Sequence, residues 1–299
     1  MTPVNVWLYG ATGQLGKAIV SQLADTSWLM MVEQERRAFA RVGLCEHGAS
    51  EPRSVPTVII NAAAFTNVER AEREPALAWM VNRDGVARLA ALAKQHNALL
   101  VHFSTDYLFD GTGDRPWRES DDPTPLNVYG RSKWAGEQAI MASGCRYLIL
   151  RTSWLHSPWR TNFLKTMLQL ARDRDELQVV SDQIGAPTSA TMLAEVTLMA
   201  IDRVLAKPEL MGLYHVVASG AVSWFDYARF IFSKAHELGL IEKVPLLTSI
   251  TSMDYGGVVD RPLNSRLDTQ LFSESFSVHL PDWRVGVIAT LQALSEELR

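Results

Sequence analysis

Tyr129 and Lys133 lie four residues apart in the segment Tyr-Gly-Arg-Ser-Lys. On a helix, this spacing places both side chains on one face. A tyrosine with an unperturbed pKa of about 10 is a poor acid at neutral pH, but a nearby ammonium group stabilises its phenolate and lowers that pKa. The pair could therefore give a proton to a carbonyl oxygen while a hydride arrives at the carbonyl carbon.

The segment Ser104-Thr105-Asp106 follows an apolar, strand-like run and precedes the helix predicted to carry Tyr129. A hydroxyl at this strand end could hydrogen-bond the same carbonyl oxygen, so that two donors would stabilise the developing negative charge. Because Y-x-x-x-K pairs are common on helix surfaces, this position supports the interpretation more than the spacing does. His102, within the apolar run, is interpreted as a packed core residue.

Three glycines, Gly10, Gly13 and Gly16, follow the first predicted strand in the pattern G-x-x-G-x-x-G. Such a turn lets the backbone approach a pyrophosphate closely and points amide donors of the next helix at the anion. The alternative is an ordinary strand-to-helix turn, in which three glycines at this spacing would be a coincidence. We therefore predict a dinucleotide site, with these candidate residues: Gly10, Thr12, Gly13, Gln14, Leu15 and Gly16.

The choice of nicotinamide cofactor depends on residues after the second predicted strand. Glu33 ends that strand near the offset of an acid that binds the ribose of NAD. Arg36 and Arg37 follow, and a guanidinium group can pair with the 2′-phosphate of NADPH. The sequence favours NADPH slightly and leaves NADH, or use of both cofactors, as the alternative. Two solvated surface arginines are the competing interpretation.

Short apolar runs alternate with amphipathic ones through the first half of the chain. The predicted strands are Val4–Tyr9, Leu29–Val32, Thr57–Asn61, Leu99–Ser104 and Tyr147–Thr152, and the predicted helices are Gln14–Ala24, Pro75–Gln95 and Tyr129–Ala142. This alternation predicts an α/β fold with a Rossmann-type, doubly wound parallel sheet. Ligands bind at the carboxyl ends of the strands in such folds.

The pattern changes after Thr152. The predicted helices there are Asn162–Arg174, Thr191–Leu205, Trp224–Leu238 and Trp283–Leu298, and strand-like runs occur at Gln178–Val180 and Leu213–Val217. We predict a main NAD(P)-binding Rossmann domain over residues 1–153. Residues 154–299 would form mainly a smaller C-terminal α/β substrate lobe, with some segments returning to the Rossmann domain.

Composition excludes several classes of function. The chain has 29 Lys and Arg against 33 Asp and Glu, a net charge of −4, which gives no electrostatic support for binding nucleic acid. Two cysteines are too few for a disulfide framework, and no apolar run is long enough to span a membrane. No signal peptide is recognisable at the start, so we expect a cytoplasmic protein with a small-molecule partner.

Several long runs of residues resemble the extended short-chain dehydrogenase/reductase superfamily and, within it, the dTDP-4-dehydrorhamnose reductase family. The runs are Asn61–Pro75, Ser104–Glu137, Arg151–Leu155, Asp182–Thr188, Gly212–Gly220 and Arg261–Thr269. The resemblance spans nearly the whole chain. It implies NAD(P)H-dependent reduction of the C4 keto group of dTDP-4-dehydrorhamnose, a 4-keto-6-deoxy sugar nucleotide, to dTDP-L-rhamnose.

The resemblance also implies residue roles. Thr105, Tyr129 and Lys133 match the catalytic triad of the family, in which the tyrosine donates the proton, the lysine holds the nicotinamide ribose and the threonine polarises the carbonyl. The implied cofactor floor comprises Asn61, Ala62, Ala63 and Ala64, and the implied substrate residues are Thr66, Val68, Thr105, Asp106, Tyr107 and Trp154. Arg261 and Arg266 would contact the diphosphate or the sugar, with a structural ion pair as the alternative.

Some features of the sequence differ from the family pattern or leave alternatives. Some relatives bind Mg²⁺ at a dimer interface through glutamates, but Ala18 and Ala190-Thr191 supply no such carboxylates, which argues against Mg²⁺ and leaves a monomer or a homodimer. Residues 38–56 lack the Asp-Phe pair expected near the adenine.

Two alternative functions also follow from the resemblance. An epimerase or 4,6-dehydratase of the same superfamily is the first, although a dehydratase would carry an acid where Tyr107 stands. A non-catalytic regulator resembling the regulatory subunit of methionine adenosyltransferase is the second. The set of Thr105, Tyr129 and Lys133 favours chemistry over regulation.

Overall fold

The computed structural model describes residues 4–24, 29–33 and 55–297. Its strands are β1 (Asn5–Tyr9), β2 (Leu29–Glu33), β3 (Val58–Asn61), β4 (Leu99–Thr105), β5 (Arg146–Thr152), β6 (Leu155–His156), β7 (Glu176–Val180), β8 (Ile184–Gly185), β9 (Thr188–Ser189), β10 (Gly212–His215), β11 (Val222–Ser223) and β12 (Leu246–Ile250). Its α-helices are α1 (Gln14–Leu23), α2 (Val68–Arg73), α3 (Pro75–Trp79), α4 (Val86–His96), α5 (Val128–Ser143), α6 (Phe163–Asp173), α7 (Ala190–Ala206), α8 (Trp224–Glu237), α9 (Ser252–Tyr255), α10 (Gln270–Ser275) and α11 (Trp283–Glu296).

A six-stranded parallel sheet with the order β10-β5-β4-β3-β1-β2 forms the centre of the molecule. The chain adds β2 on one side of β1 and then crosses to add β3 on the other side. The strand order therefore reverses between β1 and β3, and the crevice outside their carboxyl ends is where such sheets bind ligands. The predicted doubly wound parallel sheet is confirmed.

Both faces of the central sheet are covered, because side chains alternate along each strand. On β4, Leu99, Val101 and Phe103 belong to a core with α1 and α7, whereas Leu100 packs with α4 and α5 on the other face. His102 lies on this second face as well. The register of the sheet places it directly beside Asn61, the last residue of β3.

The helix predicted over Pro75–Gln95 contains a different turn in its middle. The chain runs from α3 through a π-helical turn, Met80–Gly85, into α4. A π-helical turn inserts one residue into the helical repeat and changes the direction of the side chains on it. Here it directs Asn82 at Phe65 in the loop after β3 and at Ser132 of α5.

Beyond Thr152 the chain forms a smaller α/β unit and also returns to the central sheet. β7 and β12 pair in parallel, and α6 packs against α8. β10 pairs with β5 and extends the central sheet by one strand. The smaller C-terminal α/β part of the predicted fold is present, while the domain boundary at residue 153 stays a prediction. Within the described ranges no helix is both long and apolar enough to cross a membrane.

Candidate active site

The glycine-rich turn connects β1 to α1 at the point where the strand order reverses. Gly10 has φ = +84°, and a Cβ there would lie 2.5 Å from the backbone nitrogen of Ala63. A Cβ on Gly16 would collide with the carbonyl oxygen of Gly10. A side chain at Gly10 would therefore push the turn away from the loop after β3, and one at Gly16 would push α1 away from the turn.

The amino terminus of α1 can receive an anion. Gly13 is the N-cap residue, and among the described residues no side chain caps the helix and no acid lies in its first turn. The first amide groups of a helix have no partner within it and carry its positive dipole end. Leu15 is buried in the core beneath them, whereas Thr12 is exposed. These features fit the diphosphate of a dinucleotide.

Two contacts tie this turn to the second half of the chain. The side-chain oxygen of Gln14 accepts hydrogen bonds from Ser157 Oγ at 2.9 Å and from Asn162 Nδ2 at 2.8 Å. Arg160 Nε donates to the carbonyl oxygen of Thr12 at 2.7 Å. The amide of Gln14 therefore has a structural role, and the structure adds a guanidinium group beside the phosphate-binding turn.

The residues predicted to choose between NADPH and NADH follow β2. In the register of the sheet, Glu33 stands beside Tyr9, the last residue of β1. Its backbone thus ends at the same edge of the sheet as the glycine-rich turn. Arg36 and Arg37 lie outside the described residues, as does the adenine segment considered over residues 38–56 except for its last two residues.

The loop after β3 carries the predicted cofactor floor and begins with a buried asparagine. Asn61 Oδ1 accepts a hydrogen bond from the amide of Ala63 at 3.1 Å, while Ala62, Ala63 and Ala64 are half-buried. The small side chains keep the loop close to the glycine-rich turn.

Asn82 of the π-helical turn holds the rest of this loop in place. Its amide accepts a hydrogen bond from the backbone of Phe65 at 2.8 Å and donates to Phe65 O at 3.0 Å and to Ser132 Oγ at 3.0 Å. Thr66 is exposed and Val68 is half-buried at the start of α2. The π-helical turn therefore connects the predicted substrate loop to α5.

α5 begins in front of the end of β4 and carries Tyr129 and Lys133. Asn127 caps it by accepting a hydrogen bond from the amide of Gly130 at 2.9 Å. A side chain at Gly130 would collide with the carbonyl oxygen of Tyr107. This close approach brings the ring of Tyr129 into an edge-to-face contact with Tyr107, with 5.5 Å between the ring centroids.

Tyr129 has a raised pKa in this structure. Burial of the phenol is the main cause, the negative charge of Asp106 and Tyr107 acts in the same direction, and a hydrogen bond with Thr105 opposes them. The phenol therefore stays protonated through the neutral pH range. The pKa of Tyr129 is therefore raised, whereas the sequence led us to expect that Lys133 would lower it.

Lys133 is instead held on the side of β4, and its side chain is only 2% exposed. Its Nζ donates to the carbonyl oxygen of Phe103 at 2.6 Å and lies 3.2 Å from His102 Nε2. Burial lowers the pKa of Lys133 to about 8, and the negative charge of Glu137 partly offsets this shift. Glu137 in turn forms a buried ion pair with Arg151 at 2.7 Å.

Thr105 and Asp106 lie at the end of β4. The Thr105 hydroxyl donates to Asp106 Oδ1 at 3.0 Å and accepts from the amide of Tyr107 at 3.2 Å. Burial raises the pKa of Asp106 to about 6, although hydrogen bonds with Ser265 and Thr105 lower it. Ser265 belongs to the Arg-Pro-Leu-Asn-Ser-Arg-Leu run, so this distant segment reaches the site.

The two arginines of that run have different surroundings. Burial raises the pKa of the Tyr107 hydroxyl to about 12, although the nearby positive charge of Arg261 opposes this shift, and Arg261 also contacts Glu69 at 3.3 Å. Arg266 Nε donates to Asn264 Oδ1 at 2.8 Å. The structure therefore brings Arg261 to the tyrosine pair, whereas the guanidinium of Arg266 bonds within its own loop.

Trp154, a predicted substrate residue, follows the end of β5. Its backbone has φ = +47°, and its ring stacks on Trp224, with 3.5 Å between the centroids. Gly185 lies against the same ring, and a Cβ there would lie 2.5 Å from Trp154 Cε2. Trp154 is half-buried and leads from β5 into the smaller lobe.

Comparison with known proteins shows the family of this chain. The sequence profile described as "RmlD substrate binding domain" matches residues 4–296. A dTDP-4-dehydrorhamnose reductase of Escherichia coli K12 is 42% identical over 293 residues, 97% of this chain and 98% of that protein. The chain belongs to the dTDP-4-dehydrorhamnose reductase family. The Salmonella typhimurium reductase is 43% identical, covering 95% of this chain and 96% of its own.

Solved structures of the same reductase family superpose over the whole chain. The reductase of Bacillus anthracis, in complex with NADP, has a TM-score of 0.85 at 31% identity and covers 98% of this chain and 100% of its own. A UDP-glucose 4-epimerase of Thermotoga maritima has a TM-score of 0.76 at 15% identity, which shows a shared fold alone. In the described part of this reductase-family chain no cluster of potential metal ligands occurs.

Sequence reasoning missed three participants in this site. His102 was interpreted as a core residue, and it is buried, but it also contacts the amine of Lys133. Asn82 gave no signal because the π-helical turn that directs it was not predicted. Arg160 follows a tryptophan in a loop, and only the tertiary structure brings it to Thr12.

Proposed function

We propose that this protein reduces the C4 keto group of dTDP-4-dehydrorhamnose to dTDP-L-rhamnose with NADPH, NADH being the alternative reductant. The observation that carries the proposal is the grouping of Thr105, Tyr129 and Lys133 around the end of β4, at the same edge of the parallel sheet as the glycine-rich turn. The names of relatives at 42–43% identity over nearly the whole chain support the substrate.

The proton donor in this proposal is Tyr129. Its raised pKa keeps the phenol protonated at neutral pH, so that it has a proton to give. Thr105 lies close enough to the same phenol to influence its pKa, and the two hydroxyls can therefore converge on one carbonyl oxygen. When bound, the nicotinamide supplies a hydride to the carbonyl carbon. Tyr129 protonates the oxygen as negative charge develops there, and this makes the step general acid catalysis.

The cofactor end relies on the backbone. The uncapped amides at the start of α1 would meet the diphosphate, and Arg160 beside Thr12 adds positive charge. The loop Asn61–Ala64 would lie under the cofactor, while Lys133 would hold the nicotinamide ribose. The NADP-bound relative supports NADPH, and the predicted roles of Glu33, Arg36 and Arg37 are part of the same proposal.

The substrate end would comprise Thr66, Val68, Asp106, Tyr107 and Trp154, with Arg261 at the diphosphate. Tyr107 and Arg261 support this assignment, because the charge of Arg261 acts on the Tyr107 phenol, whose ring packs against Tyr129. For Arg266 the bond to Asn264 favours a structural role. We further propose that the protein acts in the cytoplasm as a monomer or homodimer, without Mg²⁺.

A direct assay distinguishes the three functions that the sequence left as alternatives. Purified protein is mixed with the 4-keto sugar nucleotide and NADPH or NADH, and both the loss of reduced cofactor and the sugar products are measured. A reductase consumes one cofactor for each rhamnose formed. An epimerase changes the sugar without net cofactor loss, and a regulator binds without turnover. Either of the last two results overturns the proposal.

A further inference from the structure

His102 connects two residues of the proposed site from inside the sheet. It is fully buried on β4, with Nδ1 2.9 Å from Asn61 Nδ2 and Nε2 3.2 Å from Lys133 Nζ. A neutral imidazole carries one proton, which is bound to either Nδ1 or Nε2, so one ring nitrogen donates and the other accepts. The direction of these two hydrogen bonds therefore decides whether the Lys133 amine can carry a charge.

The backbone determines the direction of the first bond. The amide N–H of Ala63 can only donate, so the atom of Asn61 that it meets at 3.1 Å is the side-chain oxygen. The amide nitrogen of Asn61 is then the atom that faces His102, and it donates to Nδ1. Since Nδ1 accepts, the proton of the neutral imidazole is on Nε2.

The second bond follows from the first. His102 Nε2–H points at Lys133 Nζ, and only an uncharged amine has a lone pair to accept it. Lys133 can still donate an N–H to the carbonyl oxygen of Phe103. Placing a third proton on Lys133 would require His102 to change tautomer, which would break the bond with Asn61. The chain from Ala63 to Lys133 therefore opposes the charged lysine.

Other groups near Lys133 act on its charge as well. Glu137, one turn further along α5, favours the ammonium form, but Arg151 of β5 neutralises it in a buried ion pair. Tyr129 precedes Lys133 by one turn. From β4, His102 is kept neutral mainly because burial holds its pKa well below its usual value. Burial and the His102 N–H thus act together against Glu137.

We propose that Asn61 and His102 are positioning residues that determine the charge of Lys133, with Asn61 fixing the Nε2–H tautomer of His102 and that tautomer favouring the uncharged amine. Their effect on catalysis rests on the function proposed above, because a charged lysine stabilises the Tyr129 phenolate and an uncharged one does not. The tautomer and the charge themselves can be measured without any activity.

The tautomer is tested by long-range ¹H–¹⁵N NMR on protein with ¹⁵N-labelled histidine, with His102 assigned through His102→Gln. The expected pattern has the proton on Nε2 at pH 9, above the pKa of about 8 to which burial lowers Lys133. A proton on Nδ1, or on both nitrogens, overturns the proposal.

The charge is tested by titrating ¹³Cε-labelled lysine, with Lys133 assigned through Lys133→Arg. In Asn61→Asp the carboxylate still accepts from Ala63 but also accepts from His102 Nδ1–H, so that Nε2 faces the ammonium as an acceptor. The pKa of Lys133 should rise by at least about one unit. His102→Gln should also raise it, since the amide oxygen can accept from the ammonium, and this variant serves if Asn61→Asp does not fold.

Asn67→Asp is the matched control. Asn67 is an exposed N-cap whose oxygen accepts from the amide of Arg70, so an aspartate keeps that bond and adds the same charge away from His102. Equal Lys133 titration in wild type, Asn61→Asp and His102→Gln overturns the proposal. In the reductase assay, the alkaline fall of kcat/KM that reports loss of the Tyr129 proton should move to lower pH in Asn61→Asp, because the charged lysine stabilises the phenolate. A shift by NMR without any reductase activity would sustain this inference and reject the proposed function.

Discussion

The two ends of the proposed site are built from different parts of the chain. At the cofactor end, backbone does the recognition: glycines remove side chains from the turn after β1, and the amides of α1 face the anion. At the chemical end, buried side chains form the site. Lys133, His102, Thr105 and Asp106 form hydrogen bonds with one another or with the backbone. The cofactor end therefore has no room for added side-chain atoms, whereas the chemical end depends on its buried polar groups.

This difference predicts different responses to substitution. A change at the glycine-rich turn should affect folding and cofactor affinity together, because the same backbone serves both. A change among the buried polar side chains should affect rate and pH dependence, because those depend on protonation states rather than on shape.

The largest effect is expected for Tyr129→Phe. The variant keeps the ring and its contact with Tyr107 but removes the proton donor, so kcat should fall at least ~10²-fold while NADPH affinity is retained. Steady-state kinetics with the 4-keto sugar nucleotide, and fluorescence titration with NADPH, measure the two quantities. Tyr147→Phe, which changes a half-buried tyrosine of β5, is the control. Wild-type turnover in Tyr129→Phe would move the acid to another group.

Gly10→Ala should weaken both folding and NADPH binding. Gly113→Ala is the matched control, because Gly113 has φ = +71° but nothing within 4 Å of an added Cβ. Both variants bear the cost of a positive φ, and only Gly10→Ala also collides with backbone, so it should lose roughly 1–3 kcal/mol more of the free energy of unfolding. Urea denaturation compares the two. Equal losses of the free energy of unfolding would show that the glycine-rich turn accommodates the Cβ at Gly10 without further destabilisation.

Asp106→Asn tests the polar end through pH. The pKa of Asp106 is raised from 3.8 to about 6 in the folded protein, so the folded state binds the proton more tightly than the unfolded state does. The stabilisation from the protonated acid is complete below the unfolded pKa and is lost as pH rises through the folded one. At neutral pH, Asp106→Asn should therefore raise the free energy of unfolding, by at most about 3 kcal/mol.

The gain from Asp106→Asn should vanish as the pH falls below the unfolded pKa of 3.8. Asp121→Asn supplies the opposite case, because the Arg115 hydrogen bond lowers the pKa of Asp121 to about 2. Its loss of stability should be present at neutral pH and fade as the pH falls toward that value. Urea midpoints of both variants and the wild type over a pH series measure the two stability changes. The same pH dependence in both variants would contradict the opposite pKa shifts of Asp106 and Asp121.

Arg36→Ala and Arg37→Ala test which reduced cofactor the adenosine end prefers. If either guanidinium pairs with the 2′-phosphate, its loss should raise KM for NADPH more than KM for NADH. The ratio of the two KM values is the measurement. An equal change for both cofactors would remove the 2′-phosphate role.

Arg160→Ala should have the smallest effect. Arg160 is exposed and donates to the carbonyl of Thr12, so its removal should raise KM for both cofactors by roughly threefold to tenfold and leave kcat unchanged. Arg146→Ala is the control, because Arg146 also donates to a backbone carbonyl but begins β5 at the opposite edge of the sheet. Unchanged KM values would assign Arg160 to the loop alone.

Much of the fold was predictable because its signals are local. Apolar runs gave β1, β3, β4 and β5 to within one residue at each end, and helical periodicity gave α5 as Tyr129–Ala142 against the observed Val128–Ser143. The short pairs β6–β9 and β8–β11 were not predicted, since two residues carry no periodicity. The π-helical turn was missed because it preserves the apolar pattern on both sides of it.

The sequence by itself determined the glycine-rich turn, the Y-x-x-x-K pair and the parallel sheet, because each depends on neighbours along the chain. The tertiary structure alone decided that Lys133 meets His102 and Phe103 and that the pKa of Tyr129 is raised. It also decided that Arg160 and Ser265 reach the site from distant loops. Charge and protonation depend on burial and on partners across strands, and neither can be derived from spacing along the chain.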